Sequence, residues 1–362
     1  MPEQHAQRRS RLAELLSERD LGVALVTNLV NVRYLTGFTG SNGAVLVGLD
    51  GSATLVTDGR YQDRSAAECP DIERRINRAL LPTLVGGLSL RAGTAIGLEL
   101  HDMNVDAYVA LAELLAERDL TSQSLTRAVE DLRVVKDNGE VEALTTACAI
   151  STQALEQLYE TPLAGRGERE IARDLEWRMF ALGAEAIGFD TIVASGPNSA
   201  IPHHAPTDRV VEPGDLLKID FGARYDGYHA DCTRTVTIGP AADWQREVYA
   251  AVRESQQAGV DALVGGHLVA ESDEKARASL DAAGYLEHFT TGLGHGVGLQ
   301  IHEDPFISAK HTGKLLPRTA LTMEPGIYLV GRGGVRIEDT LVVTDGSADV
   351  LTTATKDLLE LA

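Results

Sequence analysis

The stretch Leu216-Leu-Lys-Ile-Asp220-Phe-Gly-Ala-Arg-Tyr-Asp226-Gly227-Tyr-His-Ala-Asp231-Cys-Thr-Arg-Thr235 decides how this chain is read. Asp226-Gly227 sits between two apolar-rich runs, and such a pair tolerates the positive φ angles of a two-residue hairpin turn. With that turn, Gly222 faces Asp231, and Asp220 lies two residues along the same face. Asp220 and Asp231 become diagonal neighbours, within roughly 8 Å across the ladder. Two carboxylates that close repel each other unless a proton or a cation lies between them. A metal accounts for the pair. From the hairpin alone, two exposed loop or edge aspartates account for it equally well.

A second pair of acids lies downstream. Residues 319–329, TALTMEPGIYL, carry Glu324, and residues 334–344, GVRIEDTLVVT, carry Glu338. The Gly331-Arg-Gly-Gly334 connection folds the two stretches together, which brings Glu338 near Glu324 apart from the kink at Pro325. An acid interrupting an apolar strand is costly unless it is paired or ligates a cation. Arg336 offers a pairing charge for one of them, so a structural ion pair stays open for this hairpin taken alone. The stretch Gly292-Leu-Gly294-His295-Gly-Val-Gly298-Leu-Gln-Ile-His302 adds two histidines among glycines, which permit close backbone approach to a ligand. Four acids and one histidine make an oxygen-rich set, which suits Mn²⁺ or Co²⁺ better than a closed Cys/His zinc site. Pro202-His203-His204 follows Ser195-Gly-Pro-Asn-Ser199 in another loop. By itself that pair reads as structural.

Other chemistries find no support. The glycines at 292–298 have the wrong spacing for a dinucleotide fingerprint and do not join a strand to a helix. There is no G-x-x-x-x-G-K-[ST], G-x-S-x-G or H-E-x-x-H motif. The Thr39-Gly-Ser-Asn-Gly43 turn lacks the lysine and helix start of a phosphate cradle.

Around these motifs, Leu12, Leu15 and Leu16 mark one face of a helix over 8–19. Strands are expected at 22–27, 43–48 and 52–59, the last two as a hairpin. Thr36–Gly43 reads as a turn cluster and 105–117 as a helix. From Arg127 the chain becomes highly charged and enters a long helix with Val141, Leu144, Cys148, Leu155 and Leu158 on one stripe. Further helices are expected at 168–183, with Ile171, Leu175, Met179 and Leu182 facing inward, and at about 243–264 and 271–283. Strands at 215–225, 228–238, 319–329 and 334–344 complete an α+β second domain.

The chain has 362 residues, enough for two domains. Its 53 acidic against 33 basic side chains, a formal charge of −20, exclude a typical nucleic-acid binder. Cys69, Cys148 and Cys232 are scattered and fit a reducing compartment. No apolar run approaches the roughly 20 residues that cross a bilayer, and the charged N-terminus is unlike a secretory signal. A cytoplasmic location follows as an expectation.

Asp220, Asp231 in D-x-T-R-T, His295 in G-x-G-H-G-x-G, Glu324 in M-E-P-G-I-Y and Glu338 in R-I-E-D together resemble the pita-bread metallopeptidases. The resemblance spans the chain. Residues 1–128, including YLTGFTGSNG, resemble the creatinase-like α/β domain of aminopeptidase P and prolidase, and 129–362 resemble the pita-bread catalytic domain. It implies two divalent ions per chain, Mn²⁺ before Co²⁺ or Zn²⁺. Asp231 and Glu338 would bridge them, Asp220 would bind one, and His295 and Glu324 the other. His203 and His302 match the family histidines that contact substrate. Thr233, Tyr328 and Arg336 match residues that support the ligands.

The implied reaction is hydrolysis of the bond between an N-terminal residue and a following proline, with Glu324 shuttling the proton. Short proline-containing peptides are the implied substrates and a homodimer the implied assembly, with no nucleic-acid or membrane partner. Prolidases carry an arginine a few residues after the second histidine to grip the dipeptide carboxylate. Phe306 stands there, although Arg60 or Arg64 of the first domain offers a substitute. The expectation is therefore an Xaa-Pro aminopeptidase, with Xaa-Pro dipeptidase as the alternative and a non-catalytic pita-bread binding protein as a remoter one.

Overall fold

The N-terminal leucines ride on α1 (Pro2–Glu18), which buries Leu12 and Leu16 completely while Leu15 stays at the edge. In this computed structural model, which describes residues 2–362, the chain forms two units, Met1–Arg133 and Val134–Ala362.

In the first unit, β1 (Val23–Val26) is followed by α2 (Leu29–Thr36), β2 (Gly43–Gly48) and β3 (Ala53–Thr57). Next come α3 (Gln62–Glu68), β4 (Glu73–Ile76), α4 (Leu80–Gly86) and β5 (Ala95–Leu98). The unit ends with α5 (Val105–Ala116), β6 (Thr121–Ser124) and α6 (Ala128–Val134). The sheet runs β4-β3-β2-β1-β5-β6, with β2 antiparallel to both neighbours and every other pairing parallel. The expected β2–β3 hairpin is present. Helix α2 was not expected: the Asn28 side chain caps it by accepting the N–H groups of Val30 and Asn31 at 2.9 and 3.2 Å.

The second unit opens with α7 (Asn138–Tyr159), started by a reciprocal capping box between Asp137 and Glu140. It continues with α8 (Glu168–Ala181), β7 (Ala186–Ile187) and β8 (Ile192–Ser195). The diagnostic stretch forms β9 (Leu216–Phe221), β10 (Ala223–Tyr225), β11 (Tyr228–His229) and β12 (Cys232–Ile238). Two helices follow, α9 (Asp243–Asp261) and α10 (Val269–Ala282). The remaining strands are β13 (His295–Gly296), β14 (Glu303–Phe306), β15 (Ala320–Met323), β16 (Gly326–Leu329), β17 (Gly333–Arg336) and β18 (Asp339–Val342), then the short β19 (Asp349–Val350) and β20 (Glu360–Leu361).

Two helix pairs cover the sheets. Helices α7 and α8 pack Leu155, Ile171 and Leu175 against Ile219, Phe221 and Val236 of β9 and β12. Helices α9 and α10 pack Val252 and Leu280 against Met323, Ile327, Val335 and Leu341 of β15–β18. Burial of each such side chain stabilises the fold by about 1.5–3 kcal/mol, which makes the strands between them a rigid platform.

Candidate active site

Asp226 and Gly227 both have positive φ, 46° and 80°, as the turn requires. Beyond it Cys232 pairs with Phe221 and Thr233 with Asp220, so the register is the one the turn dictates. Asp231 falls opposite Gly222, where an added Cβ would meet the Ala230 carbonyl oxygen at 1.7 Å. Glycine is required there so that the strands can close up beside the aspartate.

The second hairpin departs from expectation in one respect. The stretches 319–329 and 334–344 keep one register, Leu321 with Leu341 and Ile327 with Val335, but each is broken at its acid. The Glu324 N–H donates to Leu293 O at 2.8 Å and the Glu338 N–H to Thr233 O at 3.1 Å, instead of to each other. The ladder therefore opens around the two carboxylates. His295 arrives on β13, between β14 and β15. Its flanking glycines let the strands close up: a Cβ at Gly294, which also lines the cavity, would lie 2.2 Å from Thr322 O, and one at Gly296 would lie 2.3 Å from Asp304 O.

The two hairpins and β13 thus converge on one cavity of about 390 Å³. Asp220, Asp231, His295, Glu324 and Glu338 line it together with His203 and His302. Every candidate ligand and both candidate substrate histidines come together here. One oxygen or nitrogen each of Asp231, His295 and Glu338 lie within 4.8 Å of one another. The His302 ring stands edge-on to His295, with centroids 4.4 Å apart. The sequence reading missed Phe189, Ile192 and Ile301, which with Phe306 form the apolar wall. These residues carry no chemical signature, since an isolated Phe or Ile in a loop or at a strand's start looks like any core residue.

The supports lie one layer out. The Thr233 hydroxyl donates to Glu338 Oε2 at 2.7 Å and accepts from Arg336 Nε at 2.9 Å. Arg336 Nη1 donates to the Tyr328 hydroxyl at 2.9 Å, and Nη2 pairs with Asp220. The arginine therefore pairs with the first hairpin, and not with Glu324 or Glu338. In the first unit, Arg60 forks onto Asp58 at 2.9 and 2.8 Å, and Arg60 and Arg64 both lie near the Tyr61 ring.

The electrostatics of the cluster fit bound cations. Burial, reinforced by the charges of Glu338, Asp220 and Glu324, pushes the Asp231 carboxyl well above its ordinary range. Burial together with Glu324 and Asp220 does the same to Glu338. Burial lifts Glu324 to about 7 against the pull of Arg336. Burial, with His302 close by, lowers His295 to about 4, so its imidazole is neutral. His295 Nδ1 lies 3.0 Å from the Gly296 carbonyl, which can only accept, so Nδ1 carries the proton. The Nε2 lone pair is left facing Asp231 Oδ2 at 3.6 Å and Glu324 Oε1 at 3.5 Å. Three lone-pair carriers aimed at one another repel unless a proton or a cation lies between them. Asp220 Oδ1 is buried and has no hydrogen-bond partner, a further acceptor fit for a metal.

The description Metallopeptidase family M24 matches residues 142–345, and Creatinase/Prolidase N-terminal domain matches residues 8–135. The chain belongs to metallopeptidase family M24. It is accordingly a hydrolase, built from a creatinase-type N-terminal domain and a pita-bread domain. An Xaa-Pro dipeptidase of Pyrococcus furiosus is 34% identical over 357 residues, covering 98% of this chain and 99% of its own. The structure of an Xaa-Pro dipeptidase from Bacillus anthracis superimposes with a TM-score of 0.93 at 34% identity, covering 99% of this chain and 100% of that one. An X-Pro aminopeptidase from Thermotoga maritima gives 0.90 at 36% identity, covering 98% and 99%. Several of the similar proteins are named Xaa-Pro dipeptidase or prolidase. The comparisons thus favour the dipeptidase alternative over the aminopeptidase expected from the sequence.

Proposed function

We propose that this protein is a dinuclear-metal Xaa-Pro dipeptidase. The observation that carries the reading is the convergence of Asp220, Asp231, His295, Glu324 and Glu338 in one cavity, in a chain similar end to end to an Xaa-Pro dipeptidase. These five residues would hold the ions, for which Mn²⁺ suits the oxygen-rich set. Bound dications supply Lewis acidity and a water acidified to near-neutral pKa.

The chain's own groups do the rest. Glu324, which lines the cavity beside the other acids, would take a proton and pass it to the proline nitrogen as the bond breaks. His203 and His302 reach the cavity as donors to the substrate carbonyl oxygen and to the charge that develops on it. The Phe189, Ile192, Ile301 and Phe306 wall gives the proline ring an apolar surface that excludes water. A tertiary amide has no N–H to offer, so shape must do the selecting.

One observation favours the aminopeptidase as a second reading. Among the described residues, those lining the cavity include no lysine or arginine to meet a dipeptide's carboxylate, and Phe306 stands half-exposed at its edge. A longer peptide presents a neutral amide there and needs no cation. We also propose a homodimer in the cytoplasm, supported by the family resemblance and by three buried free cysteines. Metal analysis and an activity assay test the main reading. About two Mn²⁺ per chain and chelator-sensitive cleavage of Xaa-Pro peptides are expected. Failure to cleave any Xaa-Pro peptide with metal restored would refute it.

A further inference from the structure

His203 reaches the catalytic cavity, yet among the described residues no hydrogen bond holds its ring. Its position is set by the backbone of residues 195–207, and this loop is tied down from two directions. On one side Lys218 Nζ donates to Ile201 O at 2.6 Å and to Pro202 O at 3.2 Å, and Arg336 Nη1 donates to Pro202 O at 3.2 Å. On the other side stands Glu168, the first residue of α8, whose side chain is wholly buried.

Six donors converge on the Glu168 carboxylate, all from the loop. Oε1 accepts the Ser195 N–H and hydroxyl, both at 2.8 Å, and the Asn198 amide at 2.9 Å. Oε2 accepts His204 Nε2 at 2.8 Å, the Thr207 N–H at 2.9 Å and the Thr207 hydroxyl at 2.7 Å. Two carboxylate oxygens offer about four lone-pair sites, so six donors saturate them. Burial alone would raise this carboxyl, but the bonds from Asn198, His204, Ser195 and Thr207 prevail and hold it at about 2. None of the five candidate metal ligands is among its partners.

The donors bracket the residue that matters. His204, immediately after His203, is tethered directly, and Ser195, Asn198 and Thr207 fix the ends and middle of the loop. A carboxylate is the one side chain able to accept on both edges. The amide of Gln has an NH₂ on one edge, which would face three donors.

We propose that Glu168 is a positioning residue for catalysis, its buried carboxylate fixing the 195–207 loop and through it the His203 imidazole over the reacting bond. This rests on the Xaa-Pro peptidase reading. A merely structural carboxylate would lower thermal stability and leave turnover per folded molecule intact. The proposed role acts through His203 and leaves the metal ligands alone.

A double-mutant cycle on Mn²⁺-loaded enzyme separates the two, with kcat for Ala-Pro and calorimetric Mn²⁺ affinity measured for E168Q, H203A and the pair. E168Q should lose about 10- to 100-fold in kcat, adding it to H203A should cost less than about twofold more, and Mn²⁺ affinity should stay within about twofold of wild type. Additive losses, unchanged kcat, or a rate loss explained by weaker Mn²⁺ binding would overturn the proposal. Should E168Q fail to fold, Thr207→Val removes one hydroxyl donor and runs the same cycle, with the same pattern expected at smaller amplitude. Hydrogen exchange provides an arm independent of turnover: amides of 197–206 should exchange faster in the Glu168 or Thr207 variant while those of 216–238 do not change. Unaltered exchange in 197–206 refutes the proposal, whereas a wild-type protein inert toward every Xaa-Pro peptide refutes the functional reading instead.

Discussion

Replacing Asp231 with asparagine should stabilise the metal-free protein and abolish its stabilisation by metal. The substitution keeps the side chain's size and leaves the backbone bonds of Asp231 to the Thr340 hydroxyl, at 3.1 and 2.9 Å, untouched. It removes one of the negative charges that meet within 4.8 Å. At that separation two unit charges repel by about 3.5 kcal/mol at an effective dielectric constant of 20. Protonation of the raised carboxyls relieves most of this in the metal-free state, which leaves a gain of about 1 kcal/mol, or about 2–4 °C in Tm. With Mn²⁺ a hundredfold above its Kd, the wild type should gain about 2.7 kcal/mol from binding and the variant almost none. Scanning calorimetry of chelator-treated and Mn²⁺-loaded samples measures both effects. A variant that melts lower without metal, yet gains the full wild-type increment with it, would refute the cation-site reasoning.

Three further perturbations probe the same site. Because Asp231 and Glu338 are raised and Glu324 titrates at about 7, Mn²⁺ must displace protons from them, so affinity should fall as pH drops below 7; calorimetry in buffers of different ionisation enthalpy should register proton release. Neutral His295, at about 4, should contribute none of it, and binding without proton release would contradict the assignment. Thr233→Val strips Glu338 of its 2.7 Å donor and should weaken Mn²⁺ by about 10- to 100-fold, read by metal titration. Phe306→Arg places a cation at the cavity edge and should raise kcat/KM for Xaa-Pro over Xaa-Pro-Yaa by about tenfold, the value of one charge-assisted hydrogen bond; an unchanged ratio would place the carboxylate elsewhere.

The four acids were legible because they sit in or beside hairpins whose register is set locally. One Asp-Gly turn fixes Asp220 against Thr233 and sends Asp231 opposite Gly222. One glycine-rich turn brings Glu324 abreast of Glu338. The break in that second ladder was not legible, because it depends on Leu293 and Thr233 capturing the two N–H groups, a tertiary event with no local signal. Helix α2 was hidden for a similar reason: Leu29–Thr36 is short and rich in β-branched residues, and its start rests on Asn28. The six-strand order of the first unit rests on parallel pairings such as Leu25 with Leu98, which no turn dictates. Glu168 was read only as the beginning of an amphipathic helix. Its partners lie 27 to 39 residues away, beyond any periodicity.

Competition between substrates tests the dipeptidase claim most directly. Mn²⁺-loaded protein incubated with equal concentrations of Ala-Pro and Ala-Pro-Ala should consume the dipeptide faster, releasing free proline. Chelation should stop both reactions. Faster loss of the tripeptide, with Pro-Ala as product, would contradict the claim and restore the aminopeptidase.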